Sequence, residues 1–335
     1  MAVTIRDVAK LAGVSPMTVS RVINGSPKVT PETRARVEAA IRELHYVPNT
    51  LARGLTQSRS GTIGMVVPDL GDPFFTLILR GAEQVARAAG YRVIVCNTGS
   101  DGELEASYVD DLIAHQVEGV LLAPASDASK QVVDWMAERS LPHVLIDRSI
   151  PDVAADVVQG DSIGGARMLV DHLIANGHRR IGHVTESQRV STARDRFRGY
   201  REALEANGIP FDPELVAEGS GATIEGAQGA TAELLSRGVE LTAILAVNNL
   251  AAVGVVVALR EAGFRIPGDI AVACFDDIEL AAYLCPFLTV MAQPATTYGV
   301  IATELLIGRI QGTAPEERQV VVMPGELIVR ESTAG

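Results

Sequence analysis

Apolar residues recur at helical spacing three times within the first 45 positions. Ile5, Val8, Ala9 and Ala12 fall at i, i+3, i+4 and i+7, with Thr4 placed to cap the start and Gly13 to end the turn. Ser15 can accept from the free amides of a second helix that opens at Pro16, where the missing N–H costs nothing. In that helix Val19, Val22 and Ile23 share one side, so Met17, Thr18 and Arg21 are left together on the other. Thr30-Pro31 repeats the start signal, and Val37, Ala40, Ile41 and Leu44 make a third stripe. The pattern predicts three short helices around one small core. Beyond Gly61 its period changes. Strand-like runs (TIGMVVP, YRVIVC, VEGVLLAP, HVLID) alternate with helical stretches, and after Asp161 the alternation begins again with RRIGHVT, LVAEGS, LTAILAV and IAVACFDD. Such alternation predicts parallel sheets flanked by helices, and its repetition predicts two lobes.

Two short amphipathic helices joined by a glycine turn also occur in ordinary helical domains, so the spacing alone does not decide the purpose of the first segment. Charge changes the picture. Residues 1–60 carry nine Lys/Arg against four Asp/Glu, whereas the rest of the 335-residue chain carries 20 against 37. A basic tip on an acidic body concentrates attraction for a polyanion at one end, although a solvated basic face would have the same composition. A second helix with Met17, Thr18 and Arg21 on its outer face near the start suits a recognition helix in a DNA major groove.

The motifs TIRDVAKLAGVSPMTVSRVING, VTPETRARVEAAIRELHYVPN and LARGL resemble the lactose-repressor (LacI/GalR) family of bacterial transcriptional regulators, and the resemblance runs essentially end to end. It implies an α/β fold with an N-terminal three-helix helix-turn-helix headpiece at 1–48, a hinge at 49–60 and an effector-binding and dimerisation domain at 61–335. Within the last, one lobe covers about 61–161 and 292–322, the other about 162–291 and 323–335. The resemblance places Pro16, Met17, Thr18 and Arg21 at the operator bases and Thr4, Ser15, Ser20, Asn24, Thr30, Thr33 and Asn49 at the phosphates. Phosphate contacts set register and base contacts set sequence, and the planar fork of Arg21 matches a guanine edge. The polar segment NTLARGLTQSRS is too short and too weakly apolar for a stable isolated helix and reads by itself as a tether. The resemblance makes it a hinge that pairs on DNA, with Ala52 against its partner and Leu55 wedged into the minor groove.

Ligands of parallel sheets collect beyond the carboxyl ends of strands. Asp69, Asp72, Phe74 and Phe75 follow the first strand of the body, Asp147 and Arg148 follow HVLID, Asn248 follows LTAILAV, Asp276 follows VACF, Gln293 follows LTVMA, and Arg196 lies in STARDRFRGY. The resemblance extends here to periplasmic sugar-binding proteins and implies that these ten residues line an effector cleft. Their chemistry suits a neutral polyol: carboxylates and amides for paired hydroxyls, arginine forks, and an aromatic face from Phe74 or Phe75. Asp147 and Arg148 could also pair with each other rather than with a ligand. Three departures from the family pattern, Asn249, Cys274 and Phe287, are expected to stay clear of the cleft chemistry. No heptad tail follows the last apolar run, so a homodimer is the minimal expectation for reading two half-sites.

Other chemistry lacks positive signals. Cys96, Cys274 and Cys285 are scattered, without CxxC or histidine at ligand spacing, and read as small buried hydrophobes. The histidines form no catalytic array, His45 reads as packing within the third helix, and Asp276-Asp277 alone does not make a metal site. The glycine pairs fail dinucleotide-binding spacing. We therefore expect no cofactor and no catalysis, double-stranded DNA and a sugar-like effector as partners, and a cytoplasmic location, since no leader or spanning run is present. A sugar- or nucleotide-dependent enzyme with an appended helical domain, and a solute-binding module, are the alternatives.

Overall fold

The computed structural model describes residues 3–23, 26–46, 60–284 and 286–334. Asn24, Asn49, Ala52, Leu55 and Cys285 lie outside the described residues. The chain divides into two compact units, Met1–Ser60 and Gly61–Gly335.

The first unit holds α1 (Ile5–Ala12), α2 (Pro16–Ile23) and α3 (Pro31–Glu43). Thr4 and Asp7 cap α1 reciprocally, and Gly13 ends it in the left-handed conformation (φ 65°) that costs glycine least. Val8, Ala9, Ala12, Val19, Val22, Val37 and Ala40 form the buried core, with Ile5, Ile23, Ile41 and Leu44 packed around it. That is the set the periodicity selects. His45 departs from expectation: α3 stops at Glu43, and His45 follows the cap with φ 47° and an exposed side chain. Arg34 adds a tie that hydrophobic spacing does not reveal. Its guanidinium donates to Ser26 O (2.9 Å) and Val22 O (3.4 Å), fastening α3 to the end of α2.

The second unit contains two six-stranded sheets. In the first, β1 (Thr62–Val67) and β2 (Arg92–Asn97) pair in parallel, followed outward on the other side of β1 by β3 (Val120–Leu122), β4 (His143–Ile146), β5 (Asp156–Gly160) and β11 (Val320–Met323). The second repeats this order with β7 (Val216–Glu218), β6 (Ile181–Thr185), β8 (Ala243–Ala246), β9 (Ala271–Phe275), β10 (Thr289–Ala292) and β12 (Glu326–Ile328), the last antiparallel to β10. The central strands are buried on both faces, which accounts for their continuous rather than alternating apolar runs. The chain passes between lobes three times: after Gly160, after Ala292, and between Met323 and Glu326.

Helices cover both sheets. In the first lobe α4 (Pro73–Ala88) follows β1, α5 (Gly102–Ala114) follows β2 and α6 (Lys130–Glu138) follows β3. The second lobe carries α7 (Ser162–Ala175), α8 (Ser191–Ala206), α9 (Ile224–Ser236), α10 (Asn249–Glu261) and the short α11 (Glu279–Leu284). The chain then returns to the first lobe with α12 (Ala295–Gln311), which packs on α4. The α4–α12 contact is close because glycines face backbone there: a Cβ at Gly81 would overlap Thr296 O, and one at Gly299 would overlap Ile78 O. Overpacking at such a point forces the helices apart. Gly299→Val should lower unfolding stability by about 3 kcal/mol, whereas Gly229→Val, at a site with open space around it, should change it little; denaturant titration of both variants checks this.

Candidate functional site

The strand ends of the two lobes bring their polar residues together. Asp147 and Asp276 are each the first residue after a strand, β4 and β9, which hold the same place in the two sheets. Both have left-handed backbone, φ 64° and 63°. Aspartate tolerates that conformation better than bulky residues do, and the kink turns each carboxylate out of its strand. Both are buried, as are Arg148 and Arg196.

Arg196, on α8, donates from Nη1 to Val247 O (2.7 Å), lies 3.4 Å from Asp276 Oδ2 and stacks 3.9 Å over the Phe275 ring. Gln293 stands where the chain leaves β10. Its Nε2 donates to Asp276 Oδ1 (2.6 Å) and its Oε1 accepts from Tyr298 Oη (3.0 Å) on α12, so one amide links the lobes across a crossing segment. Glycine at position 160 leaves room for it, since a Cβ there would overlap both Gln293 and Tyr298. Arg148 donates from Nη1 to Pro124 O (3.0 Å), and its Nε lies 3.8 Å from Asp147 Oδ2, an ion pair longer than a hydrogen bond. Asp147 Oδ1, Arg148 Nε and Arg196 Nε are buried without a hydrogen-bond partner. A site with an unsatisfied acceptor and two unsatisfied donors can take up a polyhydroxylated molecule through hydrogen bonds.

Other predicted residues serve the scaffold. Asp72 Oδ1 caps α4 by accepting from Phe74 N (2.9 Å), and Asn248 Oδ1 caps α10 by accepting from Ala251 N (2.8 Å). Asp69 closes a turn by accepting from Gly71 N (2.8 Å). Phe74 and Phe75 are buried in the core of the first lobe, edge-to-face with each other at 5.4 Å, and Phe74 also meets Tyr298. Phe75 comes within 5.9 Å of the Arg148 guanidinium.

Asn249 corrects the sequence reading. It was expected to stay clear of the cleft, yet it is fully buried and its Nδ2 donates to Asp72 Oδ1 (2.9 Å), a direct bond from one lobe to the other. Its place just after a strand-end asparagine, at the first position of a helix, is the signal that could have nominated it. Of the other departures, Cys274 is buried, with Sγ 3.7 Å from Asp276 O. Cys96, expected to be buried, is only half-buried. Asp277 is held by Arg330, whose Nη1 donates to it at 2.8 Å, so the two adjacent aspartates face different partners.

In the first unit Met17 is 64% exposed, and Arg21, Thr4, Ser15, Pro16 and Thr30 are exposed as well. Thr18, Ser20 and Thr33 are half-buried. Several hydroxyls expected at phosphates already bond locally: Ser15 with Thr18 (2.9 Å) and Thr30 with Thr33 (2.9 Å). They fix helix starts and leave α2 presenting Met17 and Arg21 outward.

Comparison with known proteins places this arrangement. Residues 4–49 match the family described as bacterial regulatory proteins, lacI family, and residues 170–333 match the periplasmic binding protein-like domain. The HTH-type transcriptional repressor PurR of Photobacterium profundum is 35% identical over 98% of both chains. This chain belongs to the LacI family. It is a transcriptional regulator with a helix-turn-helix headpiece and a sugar-binding-protein-like body. Among solved structures, the Lac repressor dimer bound to operator and the anti-inducer ONPF superposes with a TM-score of 0.86 at 29% identity over 100% of both chains. The CelR–cellobiose complex gives 0.73 at 34% identity, covering 98% of this chain and 99% of that one. No helix among the described residues is long and apolar enough to cross a membrane.

Burial also sets the protonation of this LacI-family cleft. It pushes Asp147 up to about 7 against the pull of Arg148 and Arg196, with Asp276 and Asp72 adding to the rise. Burial likewise raises Asp72 to about 6, opposed by the Asn249 hydrogen bond, and raises Asp276. A carboxyl raised on folding holds its proton longer in the native state than in the unfolded chain. Its stabilising contribution is therefore full below the ordinary carboxylate range and is lost as pH rises through the folded value. Thermal stability should fall between about pH 5 and about pH 8, and Asp147→Asn should flatten that slope; an unchanged slope would remove Asp147 as its source.

Proposed function

We propose that the chain binds a near-palindromic operator as a homodimer and that a small sugar or sugar derivative, bound between the lobes, controls that binding. What most supports this reading is the convergence of Asp147, Arg148, Asp276 and Gln293 from strand ends of both lobes with Arg196 from α8, with unsatisfied donors and an acceptor among them. Asp69, Asp72, Phe74, Phe75 and Asn248 complete the effector set, Asp72 and Asn248 through the residual capacity of their cap groups.

Effector binding changes how the two lobes lie, the dimer transmits that change to the paired hinges, and headpiece spacing changes with it. Arg21 reads a guanine and Met17 a thymine methyl, with Pro16 and Thr18 beside them. Thr4, Ser15, Ser20, Asn24, Thr30, Thr33 and Asn49 hold phosphates, and Ala52 and Leu55 act in the hinge. The protein acts in the cytoplasm, without a cofactor and without turning over its ligand.

The test is selection of genomic fragments by the full-length protein, followed by salt-dependent competition against scrambled DNA. Arg21→Ala should cost about 2 kcal/mol on the selected fragment and little on scrambled DNA. Equal losses on both would take Arg21 out of base reading, and no preferred fragment would refute operator binding.

A further inference from the structure

Among the described residues, four direct bonds join the lobes outside the Gln293 crossing. At the rim, Arg194 Nη1 on α8 meets Asp127 Oδ2 (2.6 Å), Asp127 N donates to Arg189 O (2.9 Å), and Ser149 N donates to Ser191 Oγ (3.0 Å). Deeper in, Asn249 Nδ2 donates to Asp72 Oδ1 (2.9 Å). The rim ion pair is about one-third exposed on each side and is screened by water. The Asp72–Asn249 bond is different: Asp72 is 8% exposed and Asn249 0%. A charge-assisted bond in a dry setting is strong, and separating its partners without replacing them leaves two buried polar groups unsatisfied.

We propose that Asp72 and Asn249 form a latch that holds the lobes together through protein groups alone, with Asp127–Arg194 as its outer clasp, and that this latch sets the effector affinity of the cleft. It rests on the reading of the cleft as an effector site only in that last clause. The latch is built at two helix starts. Asp72 is the N-cap of α4 and Asn249 the first residue of α10, so each side chain is aimed by its helix while the helices belong to different lobes. The pair needs at least one amide, because only an amide supplies the N–H that bridges the gap. Two carboxyls repel across the same gap once both are ionised, whereas exchanging the partners preserves the bond. The exchange is also tolerated locally, because asparagine caps a helix as well as aspartate does and an acid suits a first turn.

These properties define the experiment. Spin labels introduced through ketone-bearing residues at the exposed positions Glu103 and Glu225, at the starts of α5 and α9, report the lobe separation of the full-length protein by pulsed dipolar spectroscopy. At alkaline pH, where both carboxyls are ionised, Asn249→Asp should lengthen the distance and lower the closed population about tenfold. Asp72→Asn should leave it near that of the parent, and the double exchange Asp72→Asn with Asn249→Asp should restore it. Arg194→Ala, which leaves the buried pair intact, should lengthen it to a lesser extent, and it keeps the test open if Asn249→Asp fails to fold. An Asn249→Asp distribution matching the parent's, or a double variant as open as Asn249→Asp, overturns the latch. So does an unmoved Arg194→Ala distribution for the clasp. The distances need neither sugar nor DNA, so their failure leaves the effector reading standing. A panel of D-ribose, D-galactose and cellobiose that fails to bind the parent counts against that reading alone.

Discussion

Burying the guanidiniums of Arg148 and Arg196 is possible only because carboxylates and carbonyls surround them, and those partners come from strand ends in both lobes. A buried charge left without such partners costs several kcal/mol, which is comparable to the whole net stability of a domain. Asp147, Asp276, Pro124 O and Val247 O meet that need in part. Three donor and acceptor atoms are still left over, and these are the atoms through which a hydroxyl-rich ligand would be felt. The same network joins the binding chemistry to the lobe geometry, because Gln293 ties Asp276 in one lobe to Tyr298 in the other.

The rest of the body reads as the means of delivering those strand ends. Two sheets of the same strand order place β4 and β9 in matching positions, and the same left-handed residue after each turns an aspartate out of the strand. Helices pack backbone to backbone in each lobe, at Gly81 and Gly299 in the first and at Gly199 and Gly254 in the second, and three segments carry the chain between lobes. Rigid bodies joined by a few short connections move as hinges. The headpiece is organised separately, around its own small core, with Met17 and Arg21 facing out and Arg34 spent on holding α2 and α3 together. The basic excess of residues 1–60 is thus only partly available to DNA.

Much of this could be read from the residues because periodicity reports burial directly. The apolar stripes select the headpiece core, and the strand-end rule brings forward Asp147, Arg148, Asp276 and Gln293, while Arg196 is legible only through the STARDRFRGY motif. Periodicity does not report what a polar side chain bonds to. Asp72 and Asn248 look like ligand groups in sequence, yet each also caps a helix. Asn249 looks incidental, yet it crosses between lobes, because its partner lies 177 positions away. Phe74 and Phe75 are legible as aromatics at a strand end, but the contact of Phe74 with Tyr298 depends on α12 returning from the far end of the chain. His45 was misplaced for a local reason: α3 ends two residues before it, in a backbone turn that side-chain spacing does not encode.

If cleft and headpiece share one equilibrium, linkage makes it measurable. Coupled sites change each other's affinities by the same factor, whichever ligand binds first and whether the sugar weakens or strengthens operator binding. The most direct measurement is calorimetric titration of the sugar that binds the full-length protein most tightly, into the free protein and into its complex with the selected operator. Coupling of the two sites gives dissociation constants that differ by roughly 5- to 150-fold, matched by the same ratio for operator measured with and without that sugar. Equal sugar affinities in the two titrations would contradict it.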